Sequence, residues 1–219
     1  MNKSVYSLVL MDDVVAAIDQ MAYRQNTSRS NLINQILAEH VSLSTPEKRM
    51  RDIFSSLEQF MDETFQIQTQ PSDAMLSIRS PLRYKYKPTI RYQVELYRNP
   101  GPALGKVKVS FRTQNAALIR AIDDFFRFWI ILEQHYLKDI YPDGIRYELE
   151  PGRFTRELQM PPDVMQMTSE DLGNRIAAYV QMLDDLIKIY FAALDHSSDT
   201  AALLEAKYRS YQKKSPVIL

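Results

Sequence analysis

Residues 3–10, KSVYSLVL, alternate with a period of two: Tyr6, Leu8 and Leu10 fall on one face, Lys3, Val5, Ser7 and Val9 on the other. The pattern predicts a strand. Asp12 and Asp13 then open a helix whose positive end they complement, and Val14, Val15, Ile18, Met21 and Ala22 recur at helical spacing. Asn26, which tolerates the left-handed conformation, closes it. Ser28 is an N-cap for a second helix with Leu32, Ile33, Ile36, Leu37 and Val41 along one face. One strand and two short helices bury too little surface to stand alone. A second copy is therefore expected, with the two strands paired as an intermolecular ribbon.

Thr45 and Pro46 start a third helix, expected to run to about Phe65 with a buried stripe of Met50, Ile53, Phe54, Leu57, Phe60 and Met61. Strands follow. Alternation predicts them at 82–87 (Leu82, Tyr84, Tyr86 inward), 90–96 (Ile90, Tyr92, Val94, Leu96 inward) and 106–112 (Val107, Val109, Phe111 inward). The turn Asn99-Pro100-Gly101-Pro102 separates the last two. A strongly apolar helix is expected over 115–138, with Leu118, Ile122, Phe125, Phe126, Trp129, Leu132 and Tyr136 in its core. A strand pair at 146–150 and 154–159 turns through Pro151-Gly152. Thr168, Ser169, Glu170 and Asp171 cap a long helix in which Leu172, Ile176, Tyr179, Leu183, Leu186 and Tyr190 form a packing seam. A final helix lies near 199–213. The fold class is α+β: an N-terminal module, residues 1–44, and a domain over 46–219 in which an antiparallel sheet packs with several helices.

The segment LMDDVVAAIDQMAYRQNTSRSNLINQILAEHV, Leu10 to Val41, resembles the ribbon-helix-helix family of the Arc, MetJ and CopG repressors. The acidic helix start, the apolar spacing and the SRS-x-LI opening of the second helix carry the likeness, which covers about a fifth of the chain. It implies a homodimer whose two-stranded ribbon enters the major groove of double-stranded DNA. By position, the base-facing residues are Lys3, Val5, Ser7 and Val9. The phosphate clamp is the run of backbone amides at Ser28, Arg29 and Ser30, at a helix N-terminus that offers unpaired N–H groups and positive potential. Two positions depart from the pattern: Met11 stands where proline is usual, and Val5 and Val9 replace polar groove-facing residues. Valines can touch thymine methyls but cannot hydrogen-bond to base edges.

Charge changes the picture next. The 27 Lys and Arg balance the 27 Asp and Glu, yet residues 76–113 hold nine basic residues against Glu95 alone. In an antiparallel meander, alternation would set Arg83, Lys85, Lys87, Arg91, Lys106, Lys108 and Arg112 on a basic plate opposite the apolar face. Such a plate suits DNA phosphates, an acidic ligand or partner, or simply water. The chain has no cysteine, which excludes disulfides, thiolate metal sites and a cysteine nucleophile. The start of the chain lacks the apolar core of a signal peptide, and the run Phe125 to Leu132 is too short to cross a bilayer. A cytoplasmic protein of bacterial type is expected.

Enzyme signatures are absent: no phosphate loop, no dinucleotide fingerprint, no GxSxG, no HExxH. The neighbouring acids Asp123-Asp124 and Asp184-Asp185 sit on predicted helices, where consecutive side chains diverge, and are expected to be solvated. His40, His135 and His196 are isolated, so neither metal nor other cofactor is expected. The resemblance thus implies a DNA-binding transcriptional regulator, not an enzyme, whose C-terminal domain senses a small-molecule or protein effector, multimerises or adds nucleic-acid contacts. The alternative is a dimeric interaction or adaptor protein, of plasmid-maintenance or antitoxin-like kind, in which the module mainly dimerises the chain.

Overall fold

The computed structural model describes residues 5–41, 45–68, 74–84, 87–194 and 199–214. The chain divides into two compact units, Met1–Arg49 and Met50–Leu219.

In the first unit, residues 5–11 pair with no described strand and lead into α1 (Asp12–Arg24), which is followed by α2 (Arg29–His40). The turn between the helices is built by three residues. Asn26 adopts φ 52°, Thr27 N donates to Ala22 O at 2.9 Å, and the Ser28 hydroxyl accepts from Asn31 N at 3.3 Å. The left-handed residue ends the first helix and the hydroxyl satisfies an orphan amide of the second.

The second unit holds most of α3 (Pro46–Phe60), then β1 (Gln66–Gln68), β2 (Met75–Pro81), β3 (Thr89–Leu96), β4 (Ala103–Phe111), α4 (Ala116–Leu137), β5 (Tyr147–Glu150), β6 (Arg153–Gln159), α5 (Ser169–Ala193) and α6 (Thr200–Lys214). The strands form one antiparallel sheet in the order β1-β2-β3-β4-β6-β5. Register carries a single apolar row across it: Ile67, Ile78, Tyr92, Val109, Phe154 and Leu149. Helices α4 and α5 cover that face. Phe126 of α4 stacks on Phe154 with ring centroids 4.3 Å apart, and Tyr92 donates its hydroxyl to Asp184 of α5 at 2.9 Å. Trp129 of α4 meets Tyr179 of α5 and Tyr208 of α6 edge-on, so the three helices share one core with the sheet. The whole sheet is thus one-sided, apolar beneath and polar above.

Two helix ends show why these segments stop where they do. Asn115 caps α4 by accepting from Leu118 N at 3.0 Å. At α5, Thr168 and Asp171 make a reciprocal capping box. Glycine is required where backbones approach closely. A Cβ on Gly173 of α5 would lie 2.5 Å from Ile53 O of α3, and one on Gly105 would lie 2.1 Å from Glu95 O.

Most of the expected elements are present, with three corrections. Residues 82–84 and 87–88 are not a strand but part of the loop between β2 and β3, where Leu82 N donates to Pro88 O and Lys87 takes φ 42°. Their alternation is still physical, because Leu82 is buried and Tyr84 packs on Phe191. The strand is Met75–Pro81, which the sequence reading passed over. Helix α3 ends at Phe60, not near 65, because Asp62 turns the chain locally: its carboxylate accepts from Thr64 N at 2.8 Å and its carbonyl from Phe65 N at 3.1 Å. Phe65 is then buried on its own account, whereas Phe60 is exposed. Finally, Asp184 is not solvated; it is 1% exposed and holds Tyr92 and Lys188. Asp123 is likewise engaged, accepting from Gly152 N at 2.9 Å.

Candidate nucleic-acid interface

Val5 and Val9 are fully exposed, and Ser7 is exposed beside them. Lys3 lies outside the described residues. The face that should turn inward is also open: Tyr6 is 82% and Leu8 60% exposed, and the helices leave Met21, Tyr23, Ile36 and Leu37 exposed as well. Among the described residues of the unit, Ala22 and Leu32 are its only buried apolar side chains. A run this apolar is more than scattered surface hydrophobes explain.

At the start of α2, Ser28 Oγ occupies the cap position, Ser30 is exposed, and the amides of Arg29 and Ser30 bond to no described residue. Their N–H groups and the helix dipole make an anion cradle. The Arg29 guanidinium is committed elsewhere. Its Nε and one terminal nitrogen reach both oxygens of Asp19, at 2.6 and 2.5 Å. That pair holds the Asp19 carboxyl below its ordinary range and raises Arg29. Its charge is offset by Asp19, so the backbone amides at the start of α2 are the stronger candidates to meet a phosphate, although the second terminal nitrogen of Arg29 bonds to no described residue.

In the second unit, the expected plate is smaller and less basic than alternation suggested. Arg91, Lys106, Lys108 and Arg112 do lie on the open face, since Ile90, Tyr92, Val107, Val109 and Phe111 point the other way. Arg83 and Lys87 sit in the exposed β2–β3 loop, and Lys85 lies outside the described residues. Glu95 lies between the two lysines, 3.3 Å from each ammonium. Register adds Glu157 opposite Lys106, with Glu148 and Glu150 on β5 beyond. These acids come from strands outside the basic stretch, so only the sheet order reveals them. Register also brings onto this face two cations outside the expected plate, Arg79, one of the nine basic residues of 76–113, and Arg153.

Beneath the sheet lies a charged cluster that is structural in character. Arg156 and Glu133 pair at 3.0 Å, with the guanidinium 4.6 Å from the centre of the Tyr179 ring. Burial pushes the Glu133 carboxyl up even against the attraction of Arg156. Burial also raises Asp184, although Lys188 and Tyr92 favour its charged form. Both acids are 1% exposed.

Among the described residues, no three His, Cys, Asp or Glu side chains are grouped to hold a metal ion, and no helix is long and apolar enough to cross a membrane. Neither a protein-family model, nor a curated protein, nor a solved structure matches the chain.

Proposed function

We propose that the protein is a homodimeric regulator that binds double-stranded DNA through its first unit, in the manner of ribbon-helix-helix repressors. Two copies pair residues 5–10 as a ribbon, burying Tyr6, Leu8 and Leu10 against α1 and α2 of both chains. Val5, Ser7 and Val9 then face the major groove, and the free amides at the start of α2 hold a backbone phosphate on either side. The observation that carries this reading is the unit's exposed apolar surface. Tyr6, Leu8, Tyr23 and Leu37 stand open on a body with two buried apolar side chains, which only a partner can remedy. The step from DNA binding to transcription rests on the family likeness.

The test is selection of bound fragments from sheared genomic duplex by the purified protein at near-physiological salt. A repeated half-site at constant spacing supports the reading. Failure to enrich any sequence favours the adaptor reading, to which the apolar Val5 and Val9 and the neutralised Arg29 also lean.

A further inference from the structure

On the open face of the sheet, register sets Arg79 of β2 directly opposite Arg91 of β3, with Ser110 of β4 opposite Arg91 and Arg153 of β6 opposite Ser110. Neighbouring strands lie about 4.8 Å apart, so these side chains form one short row. Arg112 extends the corner: its amide donates to Thr89 O at 3.4 Å, and it follows Ser110 by two residues on the same face. Arg79 and Arg91 are half-buried, and like charges placed directly opposite one another oppose folding. Yet Arg79, Arg91 and Arg112 make no side-chain hydrogen bond or ion pair with any described residue. The lysines beside them are neutralised by Glu95, and Arg153 reaches Glu150 at 3.9 Å. Three guanidiniums are therefore gathered with no ion-pair partner among the described residues.

A groove of ≈ 450 Å³ opens beside this row, lined by Arg91, Lys108, Ser110, Arg153, Glu148 and Glu150 among others; of the three free arginines Arg91 lines it, whereas Arg79 and Arg112 do not. That is the size of a small-molecule site. We propose that a small phosphorylated molecule binds here, its phosphate held by Arg91, which lines the groove, and by Arg79 directly opposite on the adjoining strand, with Arg112 close by and the rest of the molecule lying in the groove past the Ser110 hydroxyl. Guanidinium forks match phosphate oxygens in pairs, and a dianion answers the excess charge that a single carboxylate would leave. The acids favour this occupant over a nucleic acid. Glu148 and Glu150 line the groove from β5, three strands away from Arg91, so they spare a single phosphate at the Arg79–Arg91 end but would repel a duplex, which presents a negative charge about every 1.7 Å across the whole face. The site is independent of the DNA-binding reading and stands or falls separately.

Titration calorimetry of the full chain with inorganic pyrophosphate at low ionic strength tests it, alongside Arg79→Gln, Arg91→Gln and, as a control, Lys106→Gln. Melting curves check that each variant folds, and the exposed Arg112→Gln serves should the half-buried arginines be needed for folding. One pyrophosphate per chain, weakened about tenfold or more by the arginine changes and less than about twofold by Lys106→Gln, supports the proposal. No binding up to about 10 mM, or binding indifferent to the arginines, overturns it. So does a short duplex that displaces pyrophosphate and itself loses about tenfold in affinity on Arg91→Gln, because the corner then serves nucleic acid.

Discussion

Arg156 Nε lies 3.0 Å from Glu133 Oε2, and the two side chains are 0% and 1% exposed. The pair bridges β6 and α4 beneath the sheet, and Tyr179 of α5 closes over the guanidinium. Its value to stability is asymmetric. Two charges brought out of water roughly balance their desolvation by attraction, but one charge left alone does not. Glu133→Gln strands Arg156 and is expected to cost about 3–5 kcal/mol. The double replacement Glu133→Leu with Arg156→Met should recover most of that loss. Urea unfolding of the three proteins checks this; equal losses in the single and double variants would refute it.

Helices α3 and α5 touch through Gly173, whose added Cβ would meet Ile53 O at 2.5 Å and the Ser56 Cβ at 2.8 Å. Alanine is the better helix former by roughly 1 kcal/mol, so propensity alone predicts stabilisation. The clash is with backbone, which cannot rotate away, and overpacking of this kind costs about 1–3 kcal/mol. The expectation is that Gly173→Ala lowers the urea midpoint. A raised midpoint would mean that α3 yields.

Acid stability should report the surface carboxylates that fold into partnerships. Arg175 lowers Asp163, and the Thr168 amide and hydroxyl lower Asp171. A carboxyl lowered on folding stabilises the protein above its unfolded value, near 3.8, and that contribution is lost as pH falls through the lower folded value. Asp171→Asn should therefore be less stable than wild type at neutral pH and indistinguishable from it in strong acid. Thr168→Ala removes both the oxygen that accepts from the Asp171 amide and the hydroxyl that helps lower the Asp171 carboxyl, so its cost of about 1 kcal/mol should shrink in strong acid without vanishing. Parallel pH–stability curves for wild type and Asp171→Asn would show that the carboxylate contributes nothing there.

What was legible in the sequence is what local chemistry decides. Asn26, Ser28 and Thr168 each sit at the helix boundary their side chains favour, and the alternation of 90–96 sets the right residues inward. What was not legible depends on pairing between distant segments. The stretch 82–87 alternates as well as any strand, but Leu82 is buried and Tyr84 half-buried from a loop, while Met75–Pro81, with its two serines and a proline, takes the ladder. Asp184 carries no mark of burial until Tyr92, 92 residues earlier, is brought against it. The plate fails as a plate for the same reason. Its neutralising acids sit on β5 and β6, and its most concentrated cations depend on Arg79, on a strand that alternation did not reveal.

The proposed dimer would cover Tyr6, Leu8, Tyr23 and Leu37, which are 82%, 60%, 89% and 53% exposed in the single chain. Burying apolar surface yields about 25 cal/mol per Å², so covering these side chains favours association. Light scattering at low micromolar concentration should give twice the 25.5 kDa of the chain. Leu8→Asp places a charge at the centre of the proposed ribbon and should return a monomer. A wild-type monomer would remove the basis of the ribbon.

Arg29 separates two ways of holding a phosphate. If its guanidinium made the contact, Arg29→Ala would weaken duplex binding and reduce the salt dependence by about one phosphate per chain. In the structure one edge of that guanidinium is held by Asp19, which offsets its charge, while the amides at the start of α2 bond to no described residue. Arg29→Ala is therefore expected to change duplex affinity and its salt slope little, losing only the modest strength of an exposed ion pair. Ser30→Pro acts on the other candidate. It removes an N–H at a position in the first turn where proline's fixed φ suits the helix, so folding should survive while an amide contact is lost. A charge-assisted hydrogen bond contributes about 1.5–3 kcal/mol, so the affinity for duplex should fall by roughly tenfold or more. Electrophoretic titration of both variants on one duplex decides it. A loss confined to Ser30→Pro assigns the clamp to the backbone, whereas a loss on Arg29→Ala means that Asp19 releases its partner when DNA arrives.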